Sequence, residues 1–232
     1  LTTLDEKVYF QAKASNAQGV ELWETDGTPE GTKLVEDINT GGDSDPKELT
    51  PLGTKLYFTA DGGSGRKIYV HNPDPKPTEN STEAIGGTSP TNINSLFAHG
   101  HLLFFSASDP THGQELWIFD SSKPANATNP KLLKDINPAT SNSSPYSFVS
   151  AWGYVFFQAT TAKSGAELWR SDGTSEGTRL AKDIKAGTGN SLPMALRAYR
   201  GKVYFNAEGD NEGKELWVHE VIAEKVWTQK FD

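Results

Sequence analysis

One short sequence pattern occurs five times along this chain of 232 residues. It is complete at residues 19–32 and 165–178, where glycine precedes Glu-Leu-Trp and a glycine-rich turn follows. Shorter copies occupy residues 65–69, 113–117 and 213–217. Repetition of one pattern at a regular interval is typical of folds assembled from stacked copies of a single unit. The period therefore constrains the fold more strongly than the composition does.

A second pattern also recurs five times, and its length never changes. An apolar residue begins each copy and a phenylalanine ends it nine positions later, at residues 1–10, 49–58, 96–105, 148–157 and 196–205. Glycine interrupts four of the copies near the middle, and Asp5-Glu6 takes its place in the first. Because glycine supplies the positive φ of tight hairpin turns, each copy predicts two strands, A and B, joined by an A–B turn.

The Glu-Leu-Trp segment predicts a third strand, C, with unusual burial. Adjacent residues of a strand point to opposite faces, so Leu and Trp predict that both faces are apolar. A sheet with two apolar faces is expected to lie between neighbouring sheets. Strand D follows at residues 33–38, 131–136 and 179–184, with weaker copies at 81–85 and 225–231. Polar B–C and D–A loops complete each unit. The C–D connection is a short Asp-Gly turn in the first and fourth units and a longer loop in the second and third.

These units predict an all-β protein built from five four-stranded antiparallel sheets, each about 46 to 52 residues long. Stacking in a ring buries both faces of every sheet, so we predict a five-bladed β-propeller with no strand exchange at the seam. The predicted single domain covers residues 1–232, with blades at about 1–44, 45–91, 92–143, 144–191 and 192–232. A β-sandwich and an open stack from a longer protein remain alternatives.

The complete pattern, Glu-Leu-Trp-x-x-Asp-Gly-Thr-x-x-Gly-Thr followed by Leu-x-Lys/Glu-Asp-Ile, resembles the ELWxxDGT (hyalin-like) repeat proteins of bacteria and algae. Only the first and fourth units carry it in full. The resemblance implies a secreted or cell-surface protein and leaves its function open. In size and repeat count the chain is also similar to five-bladed lectins of the tachylectin type, which implies binding of N-acetylated sugars.

Composition excludes several classes of function. The net charge is −8 and lysine and arginine form no cluster, so nucleic acid is not expected as a partner. The absence of cysteine excludes disulfides, thiolate metal sites and cysteine nucleophiles. No apolar run approaches the roughly 20 residues of a membrane-spanning helix, so membrane insertion is not expected. Three Asn-x-Ser/Thr sequons predict a secreted glycoprotein modified at Asn80, Asn126 and Asn142.

No arrangement of residues predicts a catalytic or metal centre. The chain has neither a Ser-His-Asp order nor a Gly-x-Ser-x-Gly elbow, and His99-x-His101 lacks a third ligand. Carboxylates of the Asp-Gly-Thr turns are compatible with calcium, but their glycines account for the motif as a turn. We therefore predict no catalytic residue, no metal and no cofactor.

The remaining candidates are the polar B–C and D–A loops, which emerge at the same end of an up-and-down blade. Regular polar loops repeated around a ring predict several shallow sites near blade boundaries, each formed by a D–A loop and a neighbouring B–C loop. We predict a non-catalytic, multivalent lectin whose partners are glycans or glycoproteins. The candidate ligand-binding residues are Asn16, Asn39, Asp43, Asp45, Asn92, Asn94, His112, Asn137, Asn190, Ser191 and Asn211.

Two other functions fit the same sequence. A structural or adhesive repeat module that binds protein partners is the first alternative. A glycoside hydrolase is the second, since an acidic chain always offers carboxylate pairs and some five-bladed propellers are glycosidases. No single acid stands out as a catalyst. Sugar specificity, the number of working sites and the oligomeric state are not predicted.

Overall fold

The computed structural model describes residues 1–13, 18–86, 90–126, 128–210, 213–222 and 225–230. Regular structure within these residues consists of twenty β-strands in five four-stranded sheets. The chain divides into two compact units, which comprise residues 1–103 with 119–130 and residues 104–118 with 131–232. The predicted all-β class and the predicted four-stranded antiparallel units are confirmed.

The strands of the first three sheets correspond to the first three repeats. Sheet 1 contains β1 (Thr2–Leu4), β2 (Lys7–Lys13), β3 (Val20–Thr25) and β4 (Lys33–Glu36). Sheet 2 contains β5 (Lys47–Leu52), β6 (Lys55–Asp61), β7 (Arg66–His71) and β8 (Thr82–Ala84). Sheet 3 contains β9 (Thr91–His99), β10 (Leu102–Ser108), β11 (Glu115–Asp120) and β12 (Lys131–Lys134).

The last two repeats form sheets of the same kind. Sheet 4 contains β13 (Tyr146–Ala151), β14 (Tyr154–Thr161), β15 (Gly165–Ser171) and β16 (Arg179–Lys182). Sheet 5 contains β17 (Met194–Tyr199), β18 (Lys202–Glu208), β19 (Lys214–Ile222) and β20 (Lys225–Lys230). In every sheet the strands lie side by side in chain order, so each repeat is an A–B–C–D meander.

The two repeated sequence patterns meet across the B–C strand pair. The phenylalanine that ends the first pattern is the cross-strand partner of the aromatic residue in the second, as in Phe157 opposite Trp169 and Phe205 opposite Trp217. Directly opposed aromatic side chains stabilise antiparallel pairs. The two patterns therefore meet in one register in the B–C pairs of sheets 1, 2, 4 and 5.

Packing of one sheet on the next explains why both faces are apolar. In unit 2, Leu168 of β15 belongs to a cluster with Val203, Phe205 and Ala207 of β18. Leu22 in unit 1 packs in the same way on the equivalent residues of β6. Sheet 5 departs from the expectation, because Leu216 is 46% exposed whereas Leu168 is fully buried. The outer face of sheet 5 is therefore less covered than its counterparts.

Strand A of sheets 2, 4 and 5 begins in a bulge that was not predicted. Its register with strand B breaks between Lys47 and Thr50 in β5, and at the equivalent places in β13 and β17. One residue of each bulge has a positive φ without being glycine, and β9 contains the same conformation; these residues are Glu48, Ser95, Ser147 and Ala195. Ordinary residues at these positions give no sequence signal for the left-handed region.

Candidate functional site

A buried glutamate organises the loop end of three sheets. The Glu167 side chain is fully buried and accepts hydrogen bonds from Ser191 Oγ at 2.7 Å, Ser191 N at 3.1 Å and Ile184 N at 2.8 Å. Glu21 and Glu115 bind Ser44 and Ser143 in the same way. Each glutamate therefore fastens strand C to the D–A loop that follows it.

Burial raises the pKa of the Glu167 carboxyl, and the hydrogen bonds from Ser191 and Ile184 oppose that shift. A buried carboxyl with a raised pKa is a familiar feature of catalytic sites. Here it is sealed from solvent and its oxygens have protein donors. The geometry of Glu167 is therefore that of a structural residue. The sequence patterns did not indicate this role.

The residue before each of these serines secures the same loop. Asp43 Oδ1 accepts the Val20 N–H at 2.8 Å, and Asn190 Oδ1 accepts the Ala166 N–H at 2.8 Å. Ser191, Asn190 and Asp43 were candidate ligand-binding residues, and their hydrogen-bonding oxygens contribute to holding the D–A loop in place. What remains available to a ligand is the surface that this fixed loop creates.

Each D–A loop also contacts the next sheet. Ser143 O accepts the Thr160 N–H at 2.9 Å, which joins the loop after β12 to the end of β14. Ser191 O accepts the Glu208 N–H at 2.8 Å between sheets 4 and 5. Ser44 O accepts the Asp61 N–H in the same way between sheets 1 and 2. The D–A and B–C loops predicted to combine are therefore neighbours at these three junctions.

The junction between sheets 3 and 4 contains a solvent-open cavity of about 610 Å³. Its walls come from the D–A loop after β12, the end of β14 and the B–C loop that follows it, strands C and D of sheet 4, and the D–A loop after β16. The lining residues are Ile136, Asn137, Pro138, Thr161, Ala162, Lys163, Ser164, Trp169, Leu180, Asp183 and Gly187. We call this space the loop cavity.

The loop cavity combines apolar walls with a charged rim. Trp169 is 9% exposed and its Nε1 is inaccessible, so the indole contributes carbon rather than an N–H donor. Asn137 is held in place on both sides, since its Oδ1 accepts the Ala162 N–H at 3.2 Å and its Nδ2 donates to Asn142 O at 3.0 Å. Lys163 and Asp183 are exposed and supply charges of opposite sign.

Of the predicted ligand-binding residues that the structure describes, only Asn137 lines the loop cavity. Asn39 donates from Nδ2 to Asp43 O, and Asp45 forms ion pairs with Lys47 at 2.7 Å and Arg66 at 3.6 Å. Asn94 donates to Asn92 O within β9. Asn16 and Asn211 lie outside the described residues.

His112 lies in the B–C loop of sheet 3 and pairs with Asp109, whose Oδ2 is 2.9 Å from His112 Nδ1. The hydrogen bond to Asp109 raises the pKa of His112. Hydrogen bonds from His112 and Thr111 outweigh desolvation and lower the pKa of Asp109 to about 2. The Asp109–His112 pair therefore stabilises the B–C loop to which both residues belong.

The three sequons occupy different surroundings. Asn80 is exposed and lines a polar cavity of about 400 Å³ formed mainly by the C–D loop of sheet 2. Asn126 is exposed in the C–D loop of sheet 3, where its Oδ1 accepts the Thr128 hydroxyl at 2.8 Å. Asn142 Oδ1 instead accepts the Gln114 N–H at 2.8 Å in a D–A loop.

The Asp-Gly-Thr turns form self-contained hydrogen-bonded loops. Asp172 Oδ1 accepts both the Thr174 N–H at 2.9 Å and the Thr174 hydroxyl at 2.7 Å, and Thr174 Oγ1 accepts the Gly177 N–H at 2.9 Å. A Cβ at Gly177 would lie 2.0 Å from that Asp172 oxygen, so any other residue would displace the Asp172 carboxylate from this network. This network is the turn chemistry that the glycines indicated.

The described residues contain no group of three or more His, Cys, Asp or Glu side chains arranged to hold a metal ion. Nor does this part of the chain contain a helix with the length and apolarity needed to cross a membrane.

No known family model matches the chain, and no curated protein matches it at a significant level. Its similarity to solved structures is in the fold. A prolyl endopeptidase structure aligns with a TM-score of 0.60 at 16% identity, over 97% of this chain and 33% of the other. TolB from Acinetobacter baumannii aligns with a TM-score of 0.50 at 14% identity, over 97% and 52%. A puromycin hydrolase aligns with a TM-score of 0.53 at 11% identity, over 88% and 32%.

These similarities define a β-propeller-like fold built from four-stranded antiparallel sheets. The chain spans about a third to a half of the length of these structures. Two of them are peptidase or hydrolase structures, at identities where only the fold is shared.

Proposed function

We propose that this protein is a non-catalytic carbohydrate-binding propeller, secreted or displayed at a cell surface. The observation that carries this proposal is the loop cavity, which lies where a D–A loop meets the B–C loop of the next sheet. Its ligand is a small sugar or the terminal sugar of a glycoprotein chain.

The chemistry of the loop cavity suits a sugar ring. Small-molecule sites are concave and mostly apolar, with a few polar groups that fix orientation. The carbon of Trp169 and Leu180 can pack on the C–H face of a pyranose, as aromatic and aliphatic groups do on other apolar surfaces. Lys163 and Asp183 can then donate to and accept from ring hydroxyls at the rim.

The recurring loop contacts support several sites on one molecule. The same D–A to B–C hydrogen bond is present between sheets 1 and 2, 3 and 4, and 4 and 5. Shallow sites bind single sugars weakly, and linked sites raise the overall affinity without any new contact. The ligand would therefore be a surface that displays many copies of one sugar.

We also propose that the five sheets are the five blades of one propeller with no strand exchanged at the seam. Sheets of equal strand number and order support this arrangement, as does the repeated packing of leucine on the following sheet. The chain would then belong with the ELWxxDGT repeat proteins that its complete motifs resemble. Glycans at Asn80 and Asn126 would lie on the C–D loops of sheets 2 and 3, and not on the D–A and B–C loops that form the loop cavity.

A glycan array followed by calorimetry tests the carbohydrate proposal. Ala162→Tyr places a ring in the loop cavity and keeps the backbone N–H that binds Asn137, so it should abolish binding at this site. Ala125→Tyr is the matched control, because Ala125 is exposed in the C–D loop of sheet 3 and does not line the loop cavity. Asp183→Asn should weaken binding, whereas Glu176→Asn in a C–D turn should not.

Other outcomes would point to the alternatives. Failure to bind any glycan, together with capture of one protein partner, would replace the proposal with a protein-binding repeat module. Release of reducing sugar from a bound glycan would indicate a glycosidase. An array hit that Ala162→Tyr and Ala125→Tyr bind equally well would move the sugar site elsewhere on the molecule.

A further inference from the structure

The bulge of β9 binds a carboxylate supplied by the protein itself. Glu48 Oε1 accepts the Ser95 N–H at 2.8 Å and Glu48 Oε2 accepts the Leu96 N–H at 2.8 Å. Ser95 has a φ of 59°, which turns two consecutive N–H groups toward the same point. Successive backbone N–H groups in such a turn form a concave anion-binding site. This bulge is therefore a carboxylate receptor with its ligand in place.

Sheet 5 repeats this backbone in β17. Leu192 and Ala195 have φ values of 50° and 55°, matching 52° and 59° at Asn92 and Ser95. The register with β18 breaks between Met194 and Arg197, so Ala195 and Leu196 have no cross-strand partner. By the same geometry, the N–H groups of Ala195 and Leu196 converge as those of Ser95 and Leu96 do.

The residue that supplies the carboxylate differs between the two places. Glu48 immediately precedes the first apolar residue of strand A in sheet 2, and Ser147 occupies that position in sheet 4. A serine side chain ends at Oγ, so it is shorter than glutamate and carries no charge. Among the described residues no side-chain oxygen binds the Ala195 and Leu196 N–H groups.

The cationic side chain of Arg197 lies beside the Ala195–Leu196 bulge. Arg197 is exposed, and its Nη1 donates to Leu196 O at 2.8 Å, which fixes the guanidinium next to the bulge. No carboxylate pairs with Arg197 in the part of the chain that the structure describes. An exposed guanidinium without an acidic partner favours an anionic ligand, and its planar donors match a carboxylate.

We propose that the Ala195–Leu196 bulge and Arg197 form a binding site for a single carboxylate group from a ligand. The group would occupy the place that the Glu48 carboxylate occupies at the β9 bulge. This site is distinct from the loop cavity and does not depend on the protein's binding neutral sugars. A uronic acid and an acidic side chain both offer the required group.

Backbone amide NMR tests the proposal with sodium acetate as the probe and sodium chloride as the ionic-strength control. We expect saturable downfield shifts of the Ala195 and Leu196 amide protons with acetate and none with chloride. Arg197→Ala should weaken acetate binding roughly tenfold, because it removes a charged donor. Absence of a saturable acetate shift at these two amides would overturn the proposal.

Two variants test whether the presence of a glutamate next to a bulge decides if that bulge binds acetate. Ser147→Glu should remove the acetate response of Ala195 and Leu196, because the introduced carboxylate fills the receptor. Glu48→Ala should create a new acetate response at Ser95 and Leu96. Unchanged amide dispersion elsewhere verifies folding in both. An acetate response of Ala195 that survives in Ser147→Glu would also contradict the proposal. Titration with galacturonate and with N-acetylglutamate then distinguishes a sugar acid from an acidic side chain.

Discussion

The Glu167 carboxylate and the Ser191 hydroxyl are joined by a buried hydrogen bond of 2.7 Å across 24 residues of sequence. Neither side chain is exposed, and the bond holds the D–A loop of sheet 4 against strand C. The loop surface on which the proposed sites depend is therefore built on an internal polar link.

Removing the hydroxyl tests the strength of this link. Ser191→Ala leaves a buried carboxylate oxygen with one donor fewer, and we expect a loss of about 1 to 3 kcal/mol in the free energy of unfolding. Urea denaturation measures it. Ser64→Ala, at an exposed B–C position, is the control and should change stability by less than about 0.5 kcal/mol. Equal losses in both variants would contradict the structural role of Ser191.

The glycine before Glu-Leu-Trp can be tested by comparing two repeats. At Gly165 a Cβ would lie 1.9 Å from Gly189 O, and φ is 63°, so Gly165→Ala should destabilise the protein by at least about 2 kcal/mol. Gly213 holds the same place in sheet 5, and a methyl group added there would lie more than 4 Å from any other described residue apart from its chain neighbours. Gly213→Ala should therefore be nearly neutral. Thermal unfolding of the two variants makes the comparison, and similar losses would rule out this account of the motif.

His219 should make stability depend on pH. Burial, with Arg170 and Lys182 nearby, lowers its pKa from the ordinary 6.5 to about 4. Between these values the unfolded chain binds a proton that the folded protein does not. The free energy of unfolding should therefore fall by about 3 kcal/mol as the pH falls from 6.5 to 4.

Two histidine variants isolate this contribution. His219→Gln cannot take up the proton, so the part of the acid sensitivity that comes from this residue should disappear from urea titrations between pH 7 and 4. His101→Gln replaces a histidine whose side chain is 63% exposed and is the control for the histidine-to-glutamine exchange itself. An unchanged profile in His219→Gln would disprove the assignment.

Replacing the leucine of Glu-Leu-Trp in sheets 4 and 5 compares a sheet face that is covered with one that is exposed. Leu168→Ala removes a fully buried side chain and should cost about 2 to 5 kcal/mol of stability. Leu216 is 46% exposed, so Leu216→Ala should cost about 1 kcal/mol or less. Chemical denaturation measures both losses. A large loss at Leu216 would mean that another sheet covers this face in solution.

The strands and turns were predictable because their determinants are local. Constant spacing placed Phe157 opposite Trp169, and the glycines of the Asp-Gly-Thr turns marked the C–D connection. The predicted meander within each sheet follows from such short-range patterns. The number of strands per sheet was therefore accessible from sequence alone.

The structural roles at the loop end were harder to predict because they depend on residues far apart in sequence. Glutamate within a strand usually faces solvent. Glu167 is buried because it bonds Ser191, and the spacing of the strands along the sequence does not reveal that contact. The available signal was the repeated glutamate of Glu-Leu-Trp together with the Ser-x-Pro that recurs at residues 44–46, 143–145 and 191–193. Likewise, the bulge at Ala195 contains no glycine, so nothing in its sequence indicated a positive φ.

Binding residues were the least predictable because polar residues serve both the scaffold and its surface. Asn190 and Ser191 attach a loop, whereas Trp169, predicted as packing, also lines the loop cavity. Lys163 and Asp183 were not among the candidates. The cavity depends on the separation of two loops from different repeats, which no single repeat specifies.

Amide chemical-shift mapping with a glycan identified on an array is the measurement that tests the central proposal most directly. The proposal predicts that the largest shifts occur at Asn137, Ala162 and Gly187 around the loop cavity, and that Ala162→Tyr removes them. Shifts confined to the opposite end, at Gly173 and Gly177 of the C–D turn, or no shift with any glycan would contradict it.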